Sequence, residues 1–126
     1  MLLHICSPAE WARAQQCGEH RPDSLRSVGF VHLSSPRQVH LPANRLYAGR
    51  SDLLLLHVDT AGLEAPLRWE PGDATDPASI SSALRASGSS MVFPHLYGPL
   101  PVHAVVAVRP YRPGPDGRFA PIQSTT

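Results

Sequence analysis

The sequence predicts a single-domain α+β protein in which two helices come early and most strands come late. Three observations lead to this class. Two short apolar segments in the first third of the chain are each followed by a helix-start signal. From residue 52 onwards, the apolar runs are short and bounded by Pro, Gly or Asp, which is typical of strands. The chain has 126 residues, a length that fits one domain with one sizeable core.

The first strand and helix are predicted within residues 2–17. Residues 2–6 are apolar and indicate a buried strand. Ser7 is suited to cap the next helix, Pro8 to begin it, and Glu10 to complete a capping box. Gly18 is a natural C-terminal cap. We therefore expect a short helix over residues 9–17.

The second strand and helix are predicted from residue 28 onwards. Residues 28–33 read as a strand, and Ser34, Ser35 and Pro36 repeat the pattern of a cap followed by proline. This pattern predicts a helix that reaches about residue 48. Pro42 would lie inside that helix and predicts a kink or a split there.

The remaining strong segments are predicted strands. Residues 52–58 are nearly all apolar, which indicates a central strand, and residues 59–62 read as a turn. Residues 67–70 form a short candidate strand that ends at a Pro-Gly pair. Residues 91–93 and 102–108 are the last two predicted strands.

Two segments carry weaker signals. Residues 73–90 are dominated by Ala, Ser, Asp and Gly, and predict either a weak helix at residues 78–86 or an insertion. Residues 111–126 are rich in Pro, Gly and polar residues, and we expect a flexible C-terminal tail there. The domain itself is therefore assigned to residues 1–110.

The composition excludes several classes of function. The net charge of +1 gives no reason to expect bulk electrostatic capture of nucleic acid. No apolar run approaches the roughly 18 residues of a membrane span, and no signal-peptide pattern is visible. Two cysteines are too few for a disulfide framework or a four-cysteine zinc site. We expect a cytoplasmic protein that binds a small molecule or nucleotide, without a membrane partner.

Residues 93–101 (FPHLYGPLP) form the strongest candidate for a functional segment. Its prolines make a stiff loop or edge strand. His95 and Tyr97 are two residues apart, so they point to the same face if the backbone is extended. Such a backbone can preorganise a site. The alternative is a proline-rich turn in which both side chains are only partly buried.

Other candidates come from histidines and a glutamate near strand ends. His32 lies just before Ser34, so its strand is expected to end at a helix N-terminus, a natural anion site. Glu70 follows Trp69, whose indole could raise the pKa of this carboxyl or stack on a ligand ring. His57 and His103 lie inside apolar runs and are interpreted as packing or edge residues. The sequence contains no phosphate loop, nucleophile elbow or metal-binding spacing.

Three motifs carry a resemblance to a known family. Residues 30–34 (FVHLS), 67–70 (LRWE) and 93–101 occur in an order that resembles the DUF952 family of small bacterial proteins. More distantly, the segment pattern is similar to the RNA 2′-phosphotransferase branch of the ADP-ribosyltransferase superfamily. In that branch, too, an HLS segment ends an early strand, a helix follows, and an apolar strand ends in Val-Asp.

The distant resemblance implies an ADP-ribosyltransferase-like split mixed sheet with a cleft that binds NAD in a bent conformation. His4 would orient the nicotinamide ribose, while His32 and Glu70 would be catalytic. The other ligand-binding candidates are Ser34, Trp69, His95 and Tyr97, and no metal is expected. The chain lacks the N-terminal helical domain of the phosphotransferases, so the expected acceptor is a small or phosphorylated molecule.

Three functions follow from these observations. The leading hypothesis is an NAD-dependent ADP-ribosyltransferase-like enzyme that cleaves the bond between nicotinamide and ribose. The second is a non-catalytic binding module for a nucleotide or metabolite. The third is a metal-assisted hydrolase that uses His32, His95 and Glu70. The acceptor and the oligomeric state stay open.

Overall fold

A computed structural model describes residues 1–71 and 92–122. The elements follow in the order β1 (Leu2–Cys6), α1 (Pro8–Cys17), β2 (Glu19–His20), α2 (Asp23–Ser27), β3 (Val31–His32), α3 (His40–Tyr47), β4 (Leu53–Val58), β5 (Leu67–Pro71), β6 (Val92–Leu96), β7 (Leu100–Pro101) and β8 (Val105–Tyr111). The α+β class is confirmed, with three helices among the described residues instead of two. No described helix has the length and apolar character needed to cross a membrane.

The first sheet has the order β1-β4-β8, so β4 is its central strand as predicted. Successive β4 residues point to opposite faces and enter two cores. Leu56 and Val58 join one core with Leu96, whereas Leu55 joins the other with Phe119. A short 3-10 turn at Thr60–Gly62 follows β4, where the sequence predicts a turn.

The second sheet has the order β3-β6-β5 and contains the proline-rich motif in its middle strand. The prediction of a loop or edge strand for this motif is therefore wrong. Leu33 N donates to Pro94 O at 3.0 Å, but Pro94 has no N–H with which to complete the ladder. This explains why β3 ends at His32, one residue before the end of the predicted strand over residues 28–33.

All strand pairs of the described residues are antiparallel, including the third, two-stranded sheet of β2 and β7. The expectation of a mixed sheet is therefore wrong. An antiparallel pair needs only a short connection, whereas a parallel pair needs a long crossover. Here β1 and β4 are separated by residues 7–52, and β4 and β8 by residues 59–104, so connection length alone does not account for the antiparallel pairing.

Helix α1 forms as its local sequence predicts. Glu10 N donates to Ser7 Oγ at 3.1 Å, and Ser7 N donates to Glu10 Oε1 at 2.8 Å, which is a complete capping box. Gly18 ends the helix with φ of 85° and donates its N–H to Ala14 O at 2.7 Å. Glycine tolerates this left-handed conformation without steric cost.

Helix α3 begins later than the sequence predicts. Residues 36–39 form a turn, and the helix begins at His40 instead of after Ser35. The Gln38 side chain stabilises this turn, because its Oε1 accepts from Ser35 Oγ at 3.0 Å. Pro42 then falls in the first helical turn, where a missing N–H costs no helical hydrogen bond. The predicted kink at Pro42 is therefore absent.

The C-terminal segment packs against the domain. A 3-10 turn occupies Val102–Ala104, and β8 then runs to Tyr111. Phe119 is 2% exposed and its ring centroid lies 4.6 Å from that of Tyr111. Asn44 of α3 bonds both the N–H and the C=O of Phe119, at 2.6 and 2.9 Å. Residues 111–122 therefore do not form the flexible tail that the sequence predicts. The predicted insertion at 73–90 lies outside the described residues.

Candidate functional site

A cavity of about 310 Å³ lies where β1, β3 and β6 meet the helical side of the domain. We call it the histidine cavity. Its wall includes four of the residues that the sequence selected, namely His4, His32, Ser34 and His95. It also includes Glu10, Asp23, Tyr47 and Phe93. The remaining candidates, Glu70, Tyr97 and Trp69, are not part of this wall.

His95 is the most buried polar group of the cavity wall, with only 1% of its surface exposed. Its Nδ1 lies 2.9 Å from Glu70 Oε1. A carboxylate only accepts hydrogen bonds, so Nδ1 carries the proton in the neutral ring. Nε2 then holds a free lone pair, and it makes no hydrogen bond to any described residue. Such a nitrogen can take or give a proton.

Glu70 anchors both polar side chains of the proline-rich motif. Its Oε1 also accepts from Tyr97 Oη at 2.5 Å, so His95 and Tyr97 share one oxygen. The prediction that these two side chains point to the same face is therefore confirmed. The hydrogen bonds from Tyr97 and then His95 lower the pKa of Glu70. The bond to Glu70 raises the pKa of Tyr97.

Trp69 does not belong to this group of residues. It pairs with Pro94 across β5 and β6, whereas Glu70 pairs with Phe93, so the two neighbours point to opposite faces. Trp69 is 50% exposed on the far face of the sheet. The expectation that its indole raises the pKa of Glu70 is wrong, because that pKa is lowered by two hydrogen bonds.

Phe30 is a site residue that the sequence analysis missed as a candidate. It is 3% exposed, and its ring stacks on that of His95 with centroids 3.9 Å apart and planes 20° apart. It also contacts the His32 ring at 5.0 Å. Phe30 and His32 are two residues apart, so the alternation of strand faces was the available signal. The stack fixes the orientation of the His95 ring.

His4 and His20 form a buried pair of neutral imidazoles. His4 Nδ1 donates to the carbonyl of His32 at 2.7 Å, which leaves His4 Nε2 to accept from His20 Nε2 at 3.0 Å. Burial, and then the neighbouring His20, lower the pKa of His4 to about 3. Burial also lowers the pKa of His20. Sequence reasoning did not select His20, because only the fold brings it to His4.

His32 stands beside His95 at the solvent-exposed part of the wall. The two residues pair across β3 and β6, and their ring centroids are 5.8 Å apart. The pKa of His32 is lowered, first by partial removal from water and second by the His95 imidazole. The part of the His32 ring that stays exposed moderates this shift. A ligand entering from solvent would meet His32 before His95.

The backbone after His32 does not form the expected anion site. Ser34 is buried, and its N–H donates to Leu3 O at 2.8 Å. The N–H of Ser35 is directed at Gln38 Oε1, 3.3 Å away. The nearest helix begins only at His40. The prediction of free N–H groups for a pyrophosphate at this point is therefore wrong.

In the part of the chain that the structure describes, the side chains that could bind a metal ion do not come together in one place. No group of three His, Cys, Asp or Glu side chains there is placed to hold a metal ion. His95 directs its Nδ1 at Glu70, and Glu70 Oε1 already accepts two hydrogen bonds. Two members of the hydrolase trio, His95 and Glu70, are thus hydrogen-bonded to each other, and His32 contacts His95 only through its ring.

Comparison with known proteins identifies the family. Residues 5–108 match the family described as "Protein of unknown function (DUF952)". The match covers most of the chain, so the protein belongs to the DUF952 family, as its motifs predict. No curated protein matches the chain at a significant level.

Solved structures support the same assignment. The crystal structure of protein CC0527 from Caulobacter crescentus is similar, with 30% identity and a TM-score of 0.71 over 94% of this chain and 92% of that chain. A crystal structure of a double mutant of CC0527 gives the same values. The solution NMR structure of CC0527 has 28% identity and a TM-score of 0.71, over 94% of this chain and 90% of that chain.

Proposed function

We propose that the histidine cavity binds a small molecule and that His95 acts there as the acid–base group of an enzyme. The reaction we propose is cleavage of the bond between nicotinamide and ribose in NAD or a related N-riboside. One observation carries the proposal, namely that buried His95 is held by Glu70 through Nδ1 while its Nε2 has no hydrogen-bond partner among the described residues. The choice of reaction rests on the order of sequence segments, which resembles that of the RNA 2′-phosphotransferase branch of the ADP-ribosyltransferase superfamily.

The pair of Glu70 and His95 has the arrangement that acid–base catalysis requires. A carboxylate that accepts from Nδ1 fixes the imidazole tautomer and stabilises the imidazolium that forms during reaction. Tyr97 donates to the same carboxylate oxygen and restrains it further, and Phe30 restrains the imidazole plane. Preorganisation of this kind needs no rearrangement at the moment of proton transfer.

The proposed reaction proceeds through a ribosyl cation. The bond from ribose C1′ to the pyridinium nitrogen breaks, and its electron pair stays on that nitrogen, which neutralises the nicotinamide. The oxygen of water or of an acceptor hydroxyl bonds to C1′. Its proton passes to His95 Nε2, and Glu70 stabilises the resulting imidazolium. A transition state with oxocarbenium character is expected for such glycosidic cleavage.

The cavity limits which part of NAD can enter. Ligand cavities for drug-sized molecules span roughly 300–1,000 Å³. The histidine cavity, at about 310 Å³, is at the lower end of that range. It suits the nicotinamide ribose rather than the whole dinucleotide. In this arrangement His32 and His4 contact the ligand, and Glu70 is a positioning residue behind His95.

A non-catalytic binding module is the second candidate. Both ring nitrogens of His4 already have partners, and Glu70 Oε1 accepts two hydrogen bonds within the protein. Such internal pairing is also what a rigid binding wall would show. In that case His95 Nε2 would accept one hydrogen bond from the ligand without transferring a proton.

Release of free nicotinamide distinguishes the two candidates. Wild-type protein, His95→Gln and the control His103→Gln would be incubated with NAD or nicotinamide riboside, and nicotinamide measured by chromatography. His103 has a largely exposed side chain and is not part of the cavity wall, so its variant should match wild type. Release that is lost only in His95→Gln supports the enzyme.

Melting temperatures measured in parallel complete this test. A ligand present at about 100 times its dissociation constant stabilises the folded state by roughly 2.7 kcal/mol. Stabilisation without release would favour the binding module. Neither release nor stabilisation by NAD or nicotinamide riboside would contradict both candidates.

A further inference from the structure

The charge of the histidine cavity points to a narrower ligand class than NAD. All 11 basic side chains of the sequence are arginines. None of the arginines among the described residues belongs to the cavity wall, whereas the carboxylates of Glu10 and Asp23 do. These two residues are the acidic residues of the described wall.

Two histidines of the wall, His4 and His32, do not offset this negative charge. His4 and His32 have lowered pKa values because burial disfavours their protonated forms. The lone pair of His4 Nε2 is already used by His20. A phosphate group carries about −1.5 to −2 charge near pH 7, so it would meet carboxylates and no described cation. Like charges at short range raise the free energy of such a complex.

Aromatic rings make the wall suitable for a planar cation. Tyr47 and Phe93 contribute ring surface to the cavity, and the face of an aromatic ring attracts cations. Arg50 lies 5.7 Å from the Tyr47 centroid, but it is held outside the wall by hydrogen bonds of 3.0 and 2.9 Å to Asp52. Among the described residues, no arginine side chain lies over the Phe93 ring.

We infer that the cavity selects a positively charged, ring-containing N-riboside without phosphate groups, the chemical class of nicotinamide riboside, over phosphorylated nucleotides. This inference rests on the proposed function and narrows its substrate. Three features combine in it: a volume of about 310 Å³, two carboxylates, and aromatic surface on the wall. The pyridinium ring of such a riboside is a planar cation, and it loses its charge when the glycosidic bond breaks.

Calorimetry near neutral pH tests this selectivity with four compounds. These are nicotinamide riboside, nicotinamide mononucleotide, NAD and ADP-ribose. The mononucleotide differs from the riboside by one phosphate. We expect the riboside to bind at least about tenfold more tightly, a difference of about 1.4 kcal/mol in binding free energy. ADP-ribose, which has two phosphates and no cation, should bind most weakly.

Two variants at the wall should both reduce the preference for the riboside, one by removing a negative charge and the other by adding a positive charge. Asp23→Asn removes a carboxylate and should reduce the preference for the riboside. Leu46→Arg adds a cation at a wall position that is 55% exposed, and should strengthen binding of the mononucleotide while weakening that of the riboside. Leu46→Gln is the matched uncharged control and should behave as wild type. Glu10 is left unchanged because it closes the capping box of α1.

The outcomes separate this inference from the proposed function. Equal or tighter binding of the phosphorylated compounds would overturn the inference, even if nicotinamide were still released from NAD. Preferential riboside binding without release would support the inference and remove the catalytic part of the proposed function. No binding of any of the four compounds, or no change of preference in Leu46→Arg, would also overturn the inference.

Discussion

At the scale of residues, Glu70 joins two segments that are distant in sequence. It lies on β5, and through one carboxylate oxygen it accepts from both His95 and Tyr97. Because Nδ1 of His95 is committed to this oxygen, only Nε2 is available to a ligand. In the proposed mechanism Glu70 is therefore a residue that positions the acid–base group, and not one of the two catalytic residues that the sequence resemblance implies.

Glu70→Gln tests this role. The amide oxygen of glutamine can still accept a hydrogen bond, but it carries no charge to stabilise an imidazolium at His95. We expect the fold and ligand affinity to stay close to wild type, and turnover to fall on the order of 100- to 1,000-fold. Nicotinamide release under saturating substrate measures the effect. Glu64→Gln is the control, since Glu64 pairs with exposed His103 at 3.6 Å.

The outcome for Glu70→Gln is decisive for this residue. Equal turnover in wild type and Glu70→Gln would show that the carboxylate has no part in proton transfer. A large loss of turnover in Glu64→Gln would show that the assay responds to surface charge in general. Melting temperatures of all three proteins identify any loss that comes from unfolding.

The buried pair of His4 and His20 predicts acid sensitivity. The folded-state pKa of His4 is about 3, below its ordinary value of 6.5. The unfolded chain therefore binds a proton that the folded chain does not, in the range between these two values. The stability that neutral His4 provides is complete above pH 6.5 and is lost as the pH falls toward 3.

Urea unfolding at several pH values checks this prediction. Below its ordinary pKa, His4 alone should remove on the order of 1 kcal/mol of unfolding free energy per pH unit. His4→Gln keeps a donor for the His32 carbonyl but does not titrate, so its stability should depend less on pH. His103→Gln, at a largely exposed position, should keep the wild-type slope. An unchanged slope in His4→Gln would contradict the prediction.

At the scale of elements, Gly98 allows the chain after β6 to pack closely on the segment before β5. A Cβ atom at Gly98 would overlap with that of Ala65. Next to this contact, Tyr97 N donates to Pro66 O at 2.8 Å. The glycine of the proline-rich motif is therefore required by steric contact, and its position controls the placement of Tyr97.

A double-mutant cycle tests this contact. Gly98→Ala should lower the free energy of unfolding by about 1–3 kcal/mol, because overpacking forces nearby atoms to move. Ala65→Gly removes the opposing methyl group, so the double variant should be more stable than the sum of the single changes predicts. Urea denaturation measures all four proteins. Strictly additive effects would show that the two positions do not contact each other.

Local chemistry explains which elements the sequence could predict. Helix α1 has its complete cap within Ser7 and Glu10, and β4 is an uninterrupted apolar run, so both were predicted. The end of β3 could not be predicted from local sequence, because it depends on Pro94, which lies in the same sheet but more than 60 positions away in the chain. The two-residue strand β2 and the five-residue helix α2 are too short to produce a periodic pattern.

The site residues, like the secondary-structure elements, were predictable where the signal is local in the sequence. Alternation along an extended backbone placed His95 and Tyr97 on one face, and the motif around His32 brought that residue into consideration. Strand alternation could have placed Phe30 beside His32, but its stacking on His95 needed tertiary information. The role of His20 also needed tertiary information, because it comes from bonding to His4. Trp69 was assigned through its neighbour in sequence, although neighbours on a strand point to opposite faces.

At the scale of the whole molecule, the C-terminal segment completes the second core. Phe119 packs there with Tyr111, Leu55 and Val39, beyond the end of the family match at residue 108. Backbone hydrogen bonds also join the segment to the end of α3, since Gly49 N donates to Gly117 O at 2.9 Å. A segment that looks like a tail by composition therefore stabilises the fold.

Phe119→Ala measures this contribution. Removing a buried phenylalanine side chain typically costs about 3–5 kcal/mol, a large fraction of the roughly 5–15 kcal/mol that stabilises a domain. We expect a loss in that range by urea denaturation. Arg118→Ala changes an exposed neighbour and should stay within about 0.5 kcal/mol of wild type. A negligible effect of Phe119→Ala would mean that the segment does not pack in solution.

The central claim is that the histidine cavity is the ligand site and that His95 faces the ligand. NMR spectra of the imidazole C–H groups, recorded during titration with nicotinamide riboside, test it most directly. We predict that the signals of His32 and His95 shift in a saturable manner, while those of His57 and His103 stay unchanged. His95→Gln should remove one signal and weaken the response of His32. Saturable shifts confined to His57 or His103, or no shift of His32 and His95 at any riboside concentration, would contradict the claim.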